Sequence, residues 1–307
     1  MASAWRLAAR PLVDFVDRRI VSVGAPLKAA DLPFAIRQRQ LNMVLQDLSL
    51  RPGRPFRKPE RIDTVGMILF ASRAGSSWLG QLLASTGRTN RIAEEMRTKR
   101  LEKFAARHGI GDLAECVERI MDAEVVEGFY GFKGGVRSLV PFVYSGAYDQ
   151  CRGIAKVVLL RRRDVVGQSI SIRKAQLTGV WHARGRRHEA QPKVDADEYD
   201  YRALLESIRA IGVANATFRQ LVDREGLHHI EVCYEDVCAD PVREVNRILS
   251  LFGREPVDGA QLQAEHRVLR DKTNDAWAIR FSEDIATRAS DLRSLEAVGV
   301  RLEHVGS

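Results

Sequence analysis

Cysteine is scarce in this chain of 307 residues. Four thiols (Cys116, Cys151, Cys233 and Cys238) are too few to staple a domain of this length. Cys233 and Cys238 are read as structural residues, not zinc ligands, and no metal site is expected. Long apolar runs are missing too: no stretch of about 18 apolar residues occurs, so no membrane span is predicted. Pro11, Asp14 and Asp17 break what could have been the apolar core of a secretory leader, which gives a cytoplasmic expectation. The Lys-Ser/Thr pair that closes a Walker A loop is absent, and with it the usual magnesium ligand of nucleoside-triphosphate enzymes. There is no internal repeat and no low-complexity tract.

Hydrophobic residues make up 45% and charged residues 29%, enough apolar material for a substantial core under an ordinary soluble surface. Lys and Arg exceed Asp and Glu by 48 to 40, a formal charge of +8. Such an excess concentrates anions near the surface. It does not by itself separate nucleic acid, anionic lipid and a phosphorylated small molecule. Residues 1–22 mix Trp5, Leu7, Phe15 and Ile20 with Arg6, Arg10, Arg18 and Arg19. They are expected to form a surface helix packed on the domain or on a partner, with peripheral membrane contact as the alternative. Residues 51–61 hold three prolines, a glycine and five basic residues and read as a linker. The expected division is a helical extension and linker over 1–60 and a main domain over 61–307.

Beyond the linker, short, nearly continuous apolar runs over 62–70, 129–133, 155–160 and 230–234 have the character of strands covered on both faces. Helical periodicity follows the first run (Trp78, Leu79, Leu82, Leu83) and the third. It recurs over about 199–224 and again over 241–252, where Pro241 opens the helix and Gly253 stops it. Alternating strands and helices predict an α/β fold, a parallel sheet flanked by helices. Residues 179–197 are charged and aperiodic and read as a loop.

Ligands of open parallel sheets sit beyond the carboxyl ends of the strands. The first such end reads Ser72-Arg73-Ala74-Gly75-Ser76-Ser77, a small-residue turn feeding a helix, with amides, hydroxyls and one arginine to offer an anion. Alone it is as consistent with a plain connection. The third strand runs into Arg161-Arg162-Arg163-Asp164, with Asp164 placed to cap the next helix. Arg163 and Ser171, or Arg161 and Ser169, are each eight apart, so either pair could grip one phosphate from a strand end and a helix. The competing explanation is a solvated charge cluster.

These motifs together resemble the trehalose-sulfotransferase-like family. The likeness rests on the turn at 72–77, on Arg162-Arg163-Asp164 with Gln168 and Ser171, and on Gln176-Leu177-Thr178-Gly179-Val180-Trp181-His182. It also includes Glu94-Glu95 after Thr86-Gly87, Tyr130-Gly131-Phe132-Lys133, Tyr234-Glu235-Asp236-Val237, and Asn274 with Trp277, over about residues 62–282. The chain departs from the family's usual pattern at Ala74 and around Ile92–Met96.

The resemblance implies a P-loop-like α/β sulfotransferase fold. It further implies metal-free transfer of a sulfuryl group from 3′-phosphoadenosine 5′-phosphosulfate (PAPS) to a hydroxyl of a sugar, glycolipid or glycosylated small molecule. Arg73, Ala74, Gly75, Ser76, Ser77 and Trp78 would hold the donor's 5′-phosphosulfate, and Arg161 or Arg163 with Ser169 or Ser171 its 3′-phosphate. Arg270 and Lys272 are assigned to the donor as well. Glu95 would be the base, with Glu94 next to it on the acceptor side. Lys133 and Arg73 would complete the catalytic set, and Gln176, Trp181 and His182 would line the acceptor site. No nucleic-acid partner is expected, and a homodimer is compatible with the family. Two other readings stand beside this one: a P-loop-like kinase, and a non-catalytic basic protein binding polyanions through Arg184–Arg187 and the amino-terminal segment.

Overall fold

A computed structural model describes Leu32 and residues 38–181, 194–264 and 271–302. Four strands form one parallel sheet: β1 (Thr64–Phe70), β2 (Phe129–Gly134), β3 (Ala155–Arg161) and β4 (His228–Cys233). Their order is β2-β1-β3-β4, which puts β1 and β3 inside and brings both of their carboxyl ends to the same edge. The apolar runs of the sequence follow from this position, because alternate residues of each strand enter different cores. Val65, Met67, Leu69, Tyr130, Phe132, Val157 and Leu159 face one core. Ile68, Phe70, Phe129, Val158 and Leu160 face the other.

The first core is closed by α1 (Gln38–Gln46), α3 (Thr98–His108), α4 (Leu113–Glu124), α5 (Val136–Tyr144), α6 (Ala147–Cys151) and the far half of α8 (Tyr201–Glu225). The second is closed by α2 (Ser76–Ser85), α9 (Tyr234–Ala239) and α10 (Pro241–Leu251). A third apolar cluster joins α7 (Val165–Thr178) and the near half of α8 to α11 (Lys272–Ala286) and α12 (Ala289–Glu296), around Trp277 and Phe281.

All four strands read from the sequence are present, with small shifts. β4 begins at His228, two residues earlier than the apolar run suggested, and Tyr234 opens α9 in place of ending the strand. The helices α3 to α6, between β1 and β3, had no counterpart in the sequence reading. Pro141 sits inside α5, which is apolar almost throughout and so shows no helical alternation.

Residues 38–60, read as extension and linker, pack on the main domain. Leu41, Val44, Leu48, Leu50 and Phe56 are buried in the first core. The basic residues of the stretch dock on the acidic side of α4: Arg54 forms a two-pronged pair with Glu118, and Arg61 reaches Asp122 at 2.8 Å. Asp112 both caps α4 and accepts the Gly53 amide. Residues 1–22 lie outside the described residues.

None of the four cysteines is in a disulfide. Burial pushes Cys116 and Cys151 up to about 12, so both are inert as nucleophiles at neutral pH. Among the described residues no helix is long and apolar enough to cross a membrane.

Leu41 is fully buried although it precedes the domain boundary expected from composition. Leu41→Ala is therefore expected to cost about 2–5 kcal/mol of unfolding free energy in urea titrations, the usual scale for a truncated core leucine. A change under about 0.5 kcal/mol, ordinary for a surface site, would show that α1 is not part of the core.

Candidate active site

The turn after β1 carries two consecutive departures from ordinary backbone. Arg73 has φ 65°, in the left-handed region that non-glycine residues rarely occupy, and Gly75 has φ 82°. A side chain at position 75 would run into the ring of Tyr234, so glycine is required there both for conformation and for space. No side chain caps α2 at Gly75. The first helical amides, Ser76 and Ser77, thus keep the free donors that every helix start presents. Lys133, at the end of β2, is 6% exposed, and its Nζ donates to Ser77 Oγ at 3.0 Å. The ammonium also lies 5.8 Å from the centre of the Phe70 ring.

α7 forms the opposite wall. Asp164 caps it by accepting the Gly167 amide at 2.7 Å. One turn on, Gln168 donates from Nε2 to the Ser72 carbonyl at 2.8 Å, and Ser171 accepts from Arg73 Nε at 2.8 Å. Arg73 also donates from Nη1 to the Trp181 carbonyl at 2.5 Å. Burial, and then the nearby charge of Arg162, hold the Arg73 guanidinium below its ordinary pKa. A desolvated cation resting on neutral acceptors is a place where an anion gains more than it would in water.

The arginine cluster divides differently from the spacing argument. Strand alternation sends Arg161 to the α8 side, where it pairs with Glu231 at 3.2 Å. Arg163 is turned to Asp236 at 2.6 Å, and its backbone amide donates to Glu235. Ser169 is completely buried, with its hydroxyl donating to the Val166 carbonyl. Neither eight-residue pair converges here, and Ser171 meets Arg73 instead.

The arginine on the side of the turn is Arg162, which the sequence reading passed over. It stacks 5.3 Å from the centre of the Tyr234 ring and pairs with Asp164 at 3.1 Å. The signal available for it was the two-residue period of a strand: if Arg161 faces one side, Arg162 faces the other.

Glu94 and Glu95 lie on a segment stitched to the free edge of β2. The Asn90 carboxamide brackets one residue of that edge, accepting from Gly131 N at 2.7 Å and donating to Gly131 O at 2.9 Å. Ala93 then continues as a parallel bridge to Phe132, and its carbonyl accepts from Lys133 N at 2.9 Å. Gly80 of α2 leaves room for this segment, since a Cβ there would sit 2.6 Å from the Ile92 carbonyl. Ile92 packs over Gly131, so alternation carries Glu94 to the side of Lys133. Glu95 acts electrostatically on the buried Tyr130 hydroxyl, on the other side. The two carboxylates pair with Arg97 and Arg91 at 3.2 Å each.

The remaining expected residues are spread more widely. Trp78 donates to the Ala264 carbonyl at 3.4 Å and meets Tyr234 edge-on at 6.3 Å. Trp181 is 42% exposed, and Gln176 is exposed on the last turn of α7. Lys272 is exposed at the start of α11, which Lys174 of α7 anchors through Asp271 at 2.6 Å. His182, Arg270 and the Arg184–Arg187 stretch lie outside the described residues.

A four-stranded parallel sheet whose first strand runs through a glycine-shaped turn into a helix places the protein in the α/β class. Residues 146–284, from α6 to α11, match the family model of the Stf0 sulphotransferases. The match begins after β2, so the turn at 72–77 and the Glu94–Glu95 segment stand on their own geometry. No curated protein matches the chain.

Among solved structures, a sulfotransferase from Alicyclobacillus acidocaldarius is 16% identical with TM-score 0.47, covering 81% of this chain and 100% of its own. The sulfotransferase domain of the Synechococcus PCC 7002 olefin synthase is 13% identical with TM-score 0.44, covering 81% and 100%. A retinol dehydratase solved with retinol and PAP is 13% identical with TM-score 0.43, covering 80% and 84%.

Asn90→Ala would leave the buried N–H and C=O of Gly131 without their side-chain partners. The expected cost is about 1–3 kcal/mol in urea unfolding. An unchanged midpoint would mean that the acidic segment does not depend on the Asn90 bracket.

Proposed function

We propose that this protein is a PAPS-dependent sulfotransferase acting on a carbohydrate-type hydroxyl. The observation that carries the proposal is the gathering of Arg73, Lys133 and uncapped helix amides around one glycine-shaped turn, joined to a segment of the Stf0 family. The residues fit a donor of this kind. The start of α2 has no side-chain cap at Gly75, and the Arg73 guanidinium beside it is partly buried. PAPS supplies the sulfuryl group as a mixed anhydride with phosphate, so its departure leaves negative charge on the 5′-phosphate.

Arg73, Lys133 and the amides of Ser76 and Ser77 stabilise that charge before and during transfer. The acceptor hydroxyl loses its proton to a carboxylate as it attacks. The sequence resemblance favours Glu95 for this role. The strand register supports Glu94, which shares the side of Lys133, and one of this pair is the base. Trp181, exposed beside the Arg73 contact, supports a sugar-type acceptor, since aromatic faces suit apolar faces of sugar rings. A sugar or glycolipid is the partner, a homodimer the assembly, and the cytoplasm the compartment that four free thiols suit.

Adenosine 3′,5′-bisphosphate at about a hundred times its dissociation constant is expected to add about 2.7 kcal/mol of stability. ATP with magnesium should add much less in the same thermal scans. Equal stabilisation by the two would remove the sulfotransferase reading in favour of a kinase.

Labelled donor offered to a panel of sugars and glycolipids identifies the acceptor. With it in hand, Glu94→Gln or Glu95→Gln is expected to lower turnover by about 10²–10⁴-fold at saturating donor, with bisphosphate affinity kept. Arg73→Ala is expected to harm both quantities. If neither glutamate variant slows turnover, the base is elsewhere and His182 is tested next.

A further inference from the structure

Gln168 is 1% exposed, yet its side chain leaves α7 and reaches the backbone of the β1 turn. Nε2 donates to the Ser72 carbonyl at 2.8 Å and lies 3.4 Å from the Ala71 carbonyl. Both partners are acceptors, so only the nitrogen of the carboxamide can face them, and its orientation is decided by chemistry. The other end is different. Oε1 is buried and has no hydrogen-bond donor among the described residues. A tie that served stability alone would satisfy both ends, and this one leaves a buried acceptor at a cost.

What the tie accomplishes is directional. Ala71 and Ser72 immediately precede Arg73, whose left-handed backbone, with that of Gly75, lets successive amides converge on one point. Carbonyl oxygens in the same turn would repel an anion if they pointed the same way. Gln168 draws two of them toward α7. Three residues along, on the same face of α7, Ser171 fixes the guanidinium of Arg73. The helix thus holds the turn at its carbonyls and at its cation.

We propose that Gln168 is a positioning residue for the donor's 5′-phosphate. It keeps the Ala71 and Ser72 carbonyls turned away, so that the amides of the turn face the anion. This rests on the donor reading above and adds to it a residue that would not itself touch the donor.

The test compares Gln168→Met, of similar length without a donor, and Gln168→Glu, which can only accept, with the unaltered chain. Calorimetry gives dissociation constants for adenosine 3′,5′-bisphosphate, adenosine 5′-monophosphate and adenosine 3′-monophosphate, and thermal scans report folding. Gln168→Met is expected to weaken both 5′-phosphates by about tenfold, the scale of one lost hydrogen bond near a charged group. The 3′-monophosphate should stay within about twofold, and Gln168→Glu should lose more than Gln168→Met because it adds a negative charge beside the turn.

Equal weakening of all three ligands, or of none, overturns the proposal, because a merely structural role has no preference for the 5′ end. If the unaltered chain does not favour the bisphosphate over the 3′-monophosphate, the donor reading itself falls and this proposal with it. That result is distinct from a preference present in the unaltered chain and kept in both variants.

Discussion

Like charges gathered at the end of a sheet must be compensated, and the way this protein does so governs the rest of its site. Arg161 and Arg163 are met by Glu231 and Asp236, carboxylates from β4 and α9. Arg73 and Lys133 also have partners, but those nearest the turn are a serine hydroxyl, a backbone carbonyl and the hydroxyls of Ser76 and Ser77. Partial burial makes that difference count, since a neutral acceptor replaces only part of the hydration a guanidinium gives up. Among the described residues Arg73 rests on neutral acceptors, while Arg161 and Arg163 are matched by carboxylates to the side of the turn. An anion delivered to this turn displaces weak contacts and breaks no ion pair at Arg73.

The scaffold makes such an arrangement affordable. β1 lies between β2 and β3, its side chains locked in two cores, so the turn it ends in starts from a rigid base. Tyr234 then fills the space beside Gly75 and carries Arg162 on its ring, tying the start of α9 to the start of α2. The acidic segment is fastened by a different device, a side-chain amide that imitates a neighbouring strand. The turn after β1 and the acidic segment are thus held by separate contacts, one from α7 and one from β2. Substitutions on one side need not disturb the other.

Much of this was legible in the chain. Covered strands announce themselves by apolar runs such as 155–160, because burial on both faces leaves no room for alternation. The turn at 72–77 was legible for a related reason: small residues between a strand and a helix are required where backbone must approach a ligand. The helices α3 to α6 were not read from the chain, although α4 carries an apolar stripe of Leu113, Ala114, Cys116, Val117, Ile120 and Met121; α5, apolar almost throughout and holding Pro141, lacks the polar face that marks a surface helix. The strap at 51–61 looked like a linker because its arginines acquire partners only when α4 is beside them.

By itself, then, the order of residues determined the parallel α/β class, the place of the glycine turn after β1 and the surplus of positive charge at the strand ends. These follow from local rules, periodicity and the need for glycine at a left-handed position, which act within a few residues. Which arginine lies on the side of the turn was decided only by tertiary structure. Arg161, Arg162 and Arg163 are chemically equal in sequence. They differ because β4 and α9, about seventy residues away, set carboxylates beside the outer two, while Arg162 keeps its neighbour Asp164 and stacks on the Tyr234 ring. The same holds for Glu94 and Glu95, adjacent along the chain and separated onto opposite sides by a bridge to Phe132. A charge acquires its role from what is close in space, and closeness in space is what the fold supplies.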